Sequence, residues 1–489
     1  MRDHIRFLLG RETVALAGFD PTLTVLDWLR GARRLTGTKE GCNEGDCGSC
    51  TVVLARPQEG RLAYRAVDAC IQLVGTLDGC QLLTIEHLKG DDGALHAVQQ
   101  AMVDCHGSQC GFCTPGFVMS MFALLKTLPG LPSEDAIDDA LAGNLCRCTG
   151  YAPIVRAAQR MYALHRDDRF PADEAATLAS LQAFDDGAGV HVQSGAGEFF
   201  APATVDDLAD VLLWRPHATI VAGCTDVGLW ITKALQRPDP IVWIGRVAGL
   251  QGIALTEASL EIGAGVTYSA AAPALAALYP DMGELLRRLG SVQVRNMGTV
   301  CGNIANGSPV GDASPALIAA GARLHLRRGD AVRSMPLEQF FVAYGRQDRQ
   351  HSEFIERISV PRPQPSTRYR AYKVSKRFDQ DITAVLAACL VRVEDSVVTE
   401  ARLAFGGMAA TPKRAAQAEA ALLGRPWTEA TLVQAQAALD LDFQPLTDLR
   451  ASAAYRMAVA KNLLRRLYIE TVQPGAQTRL VGDRSLAHA

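Results

Sequence analysis

Residues 41–51 read GCNEGDCGSCT, with Cys42, Cys47 and Cys50 spaced C-x4-C-x2-C. A fourth cysteine, Cys70, follows in RAVDACIQLV. Three close thiolates with a distant fourth form a spacing that holds a [2Fe–2S] cluster. Gly41, Gly45 and Gly48 punctuate the loop. Glycine reaches positive φ without steric cost and lets backbone crowd against a bulky group, with N–H groups turned to its sulfurs. A four-cysteine zinc site usually shows two C-x2-C knuckles, and this run has one short pair.

A second set lies downstream: Cys110 and Cys113 in QCGFCTPG, then Cys146 and Cys148 in NLCRCTG. By spacing alone this set also suits zinc. Its setting favours a cluster. Thr114 and Pro115 read as an N-cap and N1 before the apolar run Phe117–Leu128, and Thr149 as a cap for a helix through Tyr151–Leu164. Cysteine pairs just ahead of helices meet partial positive charge, which suits an anionic thiolate cluster. Cys80, Cys105, Cys224, Cys301 and Cys389 read as small buried thiols. Cys80 competes with Cys70 but follows the turn-like Leu77–Gly79.

Gly41–Thr51, Gln109–Gly116 and Asn144–Tyr151 resemble the iron–sulfur signatures of the xanthine dehydrogenase / aldehyde oxidase family of molybdenum hydroxylases. Val221–Gly228 (VAGCTDVG) and Gly302–Pro315 (GNIANGSPVGDASP) resemble that family's two flavin-contacting stretches. Tyr372–Val385 (YKVSKRFDQDITAV) resembles the opening of the domain that follows. The order is cluster, cluster, flavin. The molybdenum-cofactor domain is missing, and some bacterial members keep it on a second polypeptide.

The chain has 489 residues, 48% of them hydrophobic, enough for three or four ordinary domains. With 49 basic and 52 acidic residues, the formal charge of −3 leaves no footprint for nucleic acid. No apolar run approaches membrane-spanning length. Met1–Gly18 shows no charged-then-apolar leader, so a cytoplasmic setting is expected, with the thirteen cysteines serving as ligands or buried thiols rather than disulfides.

The expected fold is multidomain α+β. Residues 1–90 form a ferredoxin-like β-grasp domain, with a hairpin (Ile5–Leu9, Thr13–Leu16), a helix capped by Thr24, and strands at Thr51–Leu54 and Leu82–Ile85. Residues 91–165 form a four-helix cluster domain: Leu95–Asp104, Pro115–Leu128, Ser133–Leu141 and Ala152–His165. Residues 166–190 read as an acidic, solvated linker, with room for a short helix in Ala175–Phe184. Residues 191–365 form an α+β FAD-binding domain, and 366–475 a C-terminal α+β domain with a hairpin (Ala387–Val393, Val398–Gly406) and helices behind it. Residues 476–489 read as a disordered tail.

Val221–Gly228 is a glycine loop between strand and helix. It suits a pyrophosphate or, equally, a plain tight turn, and it is not GxGxxG. Gly302–Asp312 crowds polar and permissive residues into one irregular segment, which needs a polar ligand if buried. The resemblance makes Gly223, Thr225, Asp226, Gly302, Asn303, Ser308 and Asp312 flavin contacts, with Asp312 on a ribose hydroxyl and Thr299 on phosphate. Lys373 and Lys376 are candidates beside the flavin. Leu289 stands where some family members place a flavin-stacking aromatic.

The resemblance implies an electron-transfer subunit with no catalytic residue of its own. Electrons from a partner's molybdopterin centre, oxidising hypoxanthine or xanthine to urate, would cross two [2Fe–2S] clusters to FAD and then NAD+. The implied assembly is an α2β2 heterotetramer with a molybdopterin-binding large subunit, and Gln109 is a candidate for reaching the molybdopterin. His87, His106 and His191 read as structural or surface residues. Two rivals remain: the small subunit of an aldehyde or N-heterocycle hydroxylase, and a free-standing iron–sulfur flavoprotein. An apolar patch around the second cluster domain would speak against the free-standing carrier.

Overall fold

The computed structural model describes residues 1–164, 168–473, 475–476 and 478. Its contacts divide the chain into two units: Met1–Ala248 with Gly290–Gly298, and Gly249–Leu289 with Thr299 onward. The expected tail lies outside the described residues apart from 476 and 478.

The first unit opens with a hairpin of β1 (His4–Leu9) and β2 (Glu12–Ala17). Alternation turns Ile5 and Phe7 inward. Phe7 meets Trp28 edge-on, with ring centroids 5.4 Å apart. Trp28 rides on α1 (Val25–Gly31), which begins where Asp27 N donates to the Thr24 hydroxyl at 3.1 Å. Adding β3 (Thr51–Gln58), β4 (Arg61–Asp68) and β5 (Gln81–Leu83) gives the sheet order β2-β1-β5-β3-β4, with β1 and β5 parallel. The glycine-rich cysteine loop enters β3 directly, and Cys70 follows β4. Pairing of β3 with β4 brings Thr51 opposite Asp68, and this register carries Cys50 toward Cys70.

Four helices follow: α2 (Ala97–Asp104), α3 (Thr114–Thr127), α4 (Glu134–Leu141) and α5 (Ala152–Leu164). The α3 helix is buried without a break from Gly116 to Leu125, as an all-round apolar helix must be. Its start differs from expectation. Cys113 is already helical (φ −81°, ψ −15°) and accepts from Phe117 N at 3.2 Å. Thr114 therefore lies inside the first turn rather than capping it, and its hydroxyl donates to Ser108 Oγ at 2.7 Å.

The acidic stretch expected as a linker holds a sixteen-residue helix, α6 (Arg169–Phe184), with Phe170 and Leu181 buried. Its acids are not a solvated run. Asp168 meets His96 at 3.0 Å and Lys126 at 2.6 Å, and Asp173 meets Arg11 at 2.8 Å. Glu174 accepts from Leu62 N at 3.0 Å. These partners lie far away in sequence, so local composition could not reveal them.

The first unit ends in β6 (Val190–Ser194), β7 (Gly197–Ala201), α7 (Val205–Trp214), β8 (Thr219–Val221), α8 (Val227–Thr232) and β9 (Ile241–Trp243), with strand order β6-β7-β9-β8. A short helix, Val292–Met297, joins this unit from downstream.

In the second unit one antiparallel sheet runs in the order Ile253–Leu255, Ser259–Gly263, Phe354–Pro361, Arg323–Arg328, Ala331–Pro336. A second joins Thr367–Val374, Val385–Glu394, Val397–Gly406 and Lys413–Arg414. Helices Ala416–Leu422, Glu429–Asp442 and Ala453–Val472 bury Leu422, Leu439 and Leu464 in the same core as Leu403 and Phe405 of this sheet. The segment Gly302–Asp312, expected to be irregular, begins inside a helix, Val300–Asn306, which Thr299 caps and Gly307, at φ 68°, ends. Among the described residues no helix is long and apolar enough to cross a membrane.

Candidate iron–sulfur and flavin sites

All thirteen cysteines are free of disulfide bonds. In the first set Cys50 and Cys70 are buried, with their sulfurs 3.3 Å apart. Cys42 contacts Cys47 and Cys70, and also accepts from Cys47 N at 3.3 Å and Asp46 N at 3.4 Å. These bonds, led by the Cys47 thiol, hold Cys42 well below the usual thiol range and push Cys47 and Cys70 upward. Within this set the thiolate is favoured at Cys42, and the neighbouring thiols serve as its donors. Gly48 (φ 65°) supplies the left-handed turn between Cys47 and Cys50, and no side chain fits there because Gly143 O would lie 2.2 Å from a Cβ. Cys80 is buried in the β-grasp core and belongs to no cysteine set.

The second set is open. Cys110 and Cys148 are exposed, with sulfurs 3.3 Å apart, while Cys113 and Cys146 are half-buried and in contact. Burial first, and then Cys146, pushes Cys113 up to about 12. The Phe112 N–H leads the groups that lower Cys110. The Thr149 hydroxyl meets Cys146 Sγ at 3.1 Å and accepts from Tyr151 N at 3.2 Å, so it serves both thiol and helix start. Phe112, Leu145 and Tyr151 are exposed around these cysteines, as is Gln109.

Among the described residues, no group of three or more His, Cys, Asp or Glu is set to hold a single metal ion. In the first set contacts run from Cys47 through Cys42 and Cys70 to Cys50, and in the second the sulfurs meet as two pairs. Free thiols with N–H donors aimed at sulfur are the donor chemistry of an iron–sulfur cluster, and both sets fit one.

Sequence reasoning missed several residues here. Asp68 is 1% exposed and takes a 3.6 Å contact from Cys50; burial first, then Cys42, pushes its carboxyl up to about 8. Tyr151 OH accepts from Cys146 N at 3.1 Å. Asn144, Ser120 and Gln293 form a buried polar group behind both cysteine loops. An apolar-flanked Asp two residues before Cys70 was the one local signal; the others needed the fold.

The flavin candidates divide between the units. Gly223, Thr225 and Asp226 belong to the first. A Cβ on Gly223 would stand 1.8 Å from Met297 O, so only glycine fits. Burial raises the Asp226 carboxyl above its ordinary range. In the second unit the Thr299 hydroxyl accepts from Gly302 N at 3.0 Å, which caps the helix and leaves its O–H as a donor. Asn303 Oδ1 is buried without a protein partner, an acceptor that suits a polar ligand. Ser308 Oγ accepts from Val310 N at 3.4 Å. Asp312 takes Lys373 Nζ at 2.7 Å on one oxygen and the Thr383 hydroxyl on the other. That pair is nearly dry, with side chains 7% and 2% exposed. Lys376 is instead exposed and donates to Leu449 O at 2.9 Å. Leu289 is half-buried.

Three family models match this architecture. The [2Fe-2S] binding domain covers residues 84–159. The FAD binding domain in molybdopterin dehydrogenase covers 192–363, and the CO dehydrogenase flavoprotein C-terminal domain covers 370–471. The class is therefore an iron–sulfur flavoprotein. Xanthine dehydrogenase of Emericella nidulans is 33% identical over 95% of this chain, and that of Drosophila subobscura 31% over 95%. The chain spans 38% and 39% of those two relatives' lengths. A carbon monoxide dehydrogenase structure from Hydrogenophaga pseudoflava, 28% identical, aligns with TM-score 0.52 over 55% of this chain and 94% of its own. Quinoline 2-oxidoreductase from Pseudomonas putida 86, 24% identical with TM-score 0.51, shares the fold. The chain belongs to the molybdenum hydroxylases, as an iron–sulfur/FAD chain of that family.

Proposed function

We propose that this chain carries electrons from a molybdopterin centre on a partner polypeptide to NAD+ during oxidation of hypoxanthine or xanthine to urate. The observation that carries the reading is the contrast between an open cysteine set and a buried one within a single unit. Cys110 and Cys148 lie at the surface among exposed Phe112, Leu145 and Tyr151. Exposed apolar side chains grouped at a redox site suit a docked partner better than a free-standing carrier. When bound, the clusters supply one-electron transfer and the flavin couples single electrons to hydride transfer.

Cys42, Cys47, Cys50 and Cys70 would hold one cluster, and Cys110, Cys113, Cys146 and Cys148 the other. For the flavin, the assigned residues are Gly223, Thr225 and Asp226 in the first unit and Thr299, Gly302, Asn303, Ser308, Asp312 and Lys373 in the second. Asn303 offers the open acceptor. Asp312 and Lys373 hold one another, so their part is to fix the Gly302–Asp312 segment and place a compensated charge there. Xanthine as substrate rests on the relatives' identities. An aldehyde reading keeps support from aldehyde oxidase 2 of Macaca fascicularis, 27% identical over 96% of this chain.

The test is cofactor analysis of the native complex, followed by turnover. We expect about four irons, about four acid-labile sulfides and about one FAD per chain. A molybdopterin-containing chain should co-purify, and xanthine should reduce NAD+. An iron-free chain rejects the cluster assignment. A loaded complex that oxidises only aldehydes rejects the substrate.

A further inference from the structure

Behind the two cysteine loops sits a buried polar knot made by four segments distant in sequence. Gln293 is fully buried, and its Nε2 is surrounded by Ser120 Oγ and Asn144 Oδ1, both at 3.1 Å, and Thr51 Oγ1 at 3.2 Å. Ser120 Oγ donates to Asn144 Oδ1 at 2.6 Å. Asn144 Nδ2 donates to Gly48 O at 3.0 Å, and the Thr51 hydroxyl donates to the same carbonyl at 2.7 Å. Gly48 lies between Cys47 and Cys50, while Asn144 lies two residues before Cys146. Ser120 rides on α3, whose first turn follows Cys113. The knot therefore touches the loop of one set and both halves of the other. A direct backbone bond, Leu145 N to Cys47 O at 3.0 Å, runs beside it.

The space is made to measure. A Cβ at Gly143 would stand 2.0 Å from Gln293 Oε1, and one at Gly116 would stand 2.1 Å from Gly48 O. The Gln293 helix is also held independently of the knot. Asn296 Nδ2 donates to Ala66 O at 2.9 Å, and Met297 O packs on Gly223. Removing the Gln293 amide would therefore take away its bonds to Thr51, Ser120 and Asn144 while leaving the helix seated and the direct Asn144–Gly48 and Leu145–Cys47 bonds in place.

We propose that Gln293 is a positioning residue that sets the two cluster loops against one another. Its amide is the central donor of a network whose other members belong to both loops, so displacement of one loop must be felt by the other. Buried networks of this kind fix geometry more than they add stability; here Gln293 bonds through Nε2 alone, and its Oε1 is buried without a partner. The inference rests on the cluster assignment proposed above.

The test uses the full chain as isolated with its cofactors, read by EPR of the dithionite-reduced protein together with iron and FAD content and thermal melting. Wild type comes first: absence of two distinct iron–sulfur signals would sink the cluster assignment itself. With both signals present, Gln293→Met keeps side-chain length and removes the donors. It is expected to keep iron and FAD at wild-type levels while shifting both signals. A shift confined to one signal, or none, overturns the clamp but leaves the cluster assignment standing. Should Gln293→Met fail to fold, Ser120→Ala decides in its place: both signals altered supports the proposal, and any other result overturns it.

Discussion

The two cysteine sets use the same ligand count in opposite surroundings. Cys50 and Cys70 are 2% and 1% exposed within the β-grasp core, whereas Cys110 and Cys148 lie at the surface ahead of helices. The first set is held by tertiary packing at Cys50 and Cys70, which are shielded from solvent, while Cys42 and Cys47 are half-buried. An open set is held by local turns and reachable by a partner. On the proposed function the difference implies a direction: electrons would enter at the accessible set and move toward the less accessible one.

Cys50→Ser strikes the contrast hardest. It should remove about two of about four irons and give the lowest melting temperature of the single-cysteine variants, since three thiols would be left in a packed loop. Iron analysis and calorimetry check it, and a melt equal to wild type would break the claim that burial matters at this set.

Cys148→Ser should also remove about two irons and one group of cluster signals, with flavin absorbance retained. Its exposed position predicts a stability change within about 0.5 kcal/mol beyond the loss of the cluster. If both cluster signals survive, the ligand assignment of the open set is wrong.

The smallest effect concerns the body that carries the open set. Burial opposes charge on Asp168, but bonds from His96 and Lys126 outweigh it and hold the carboxyl down to about 2. Its folded value lies below its ordinary one, so the contribution is full above about pH 4 and is lost as pH falls through about 2. Asp168→Asn should cost about 1–2 kcal/mol at neutral pH, and the gap from wild type should close on acidification. A gap that is constant from pH 7 to 2.5 in thermal melts would count against this ion group.

Much of the site was legible because cluster ligation demands a particular residue at a particular spacing. GCNEGDCGSCT and NLCRCTG declare thiols and turns locally, and the helix after Thr24 declares itself through its cap. Thr299, which the resemblance places on phosphate, also caps a helix by accepting from Gly302 N. Capping and ligand binding call for the same residue type, so the sequence could not separate them. The acids of 168–186 misled for a different reason. A run of Asp and Glu reads as solvated unless its cations are known, and Lys126 and Arg11 lie tens of residues away.

By itself the sequence determined that eight thiols form two sets and that a mixed α+β chain carries them, while the flavin-type domain was implied by the family resemblance. Those features depend on neighbours within a few residues, where residue type, spacing and turn chemistry act directly. Only the tertiary structure decided which set is buried, that α6 packs where a linker was expected, and that Gln293 reaches Asn144 and Ser120. Burial and polar satisfaction are properties of contacts between distant segments, and such contacts exist only once the sheets and helices have closed around them.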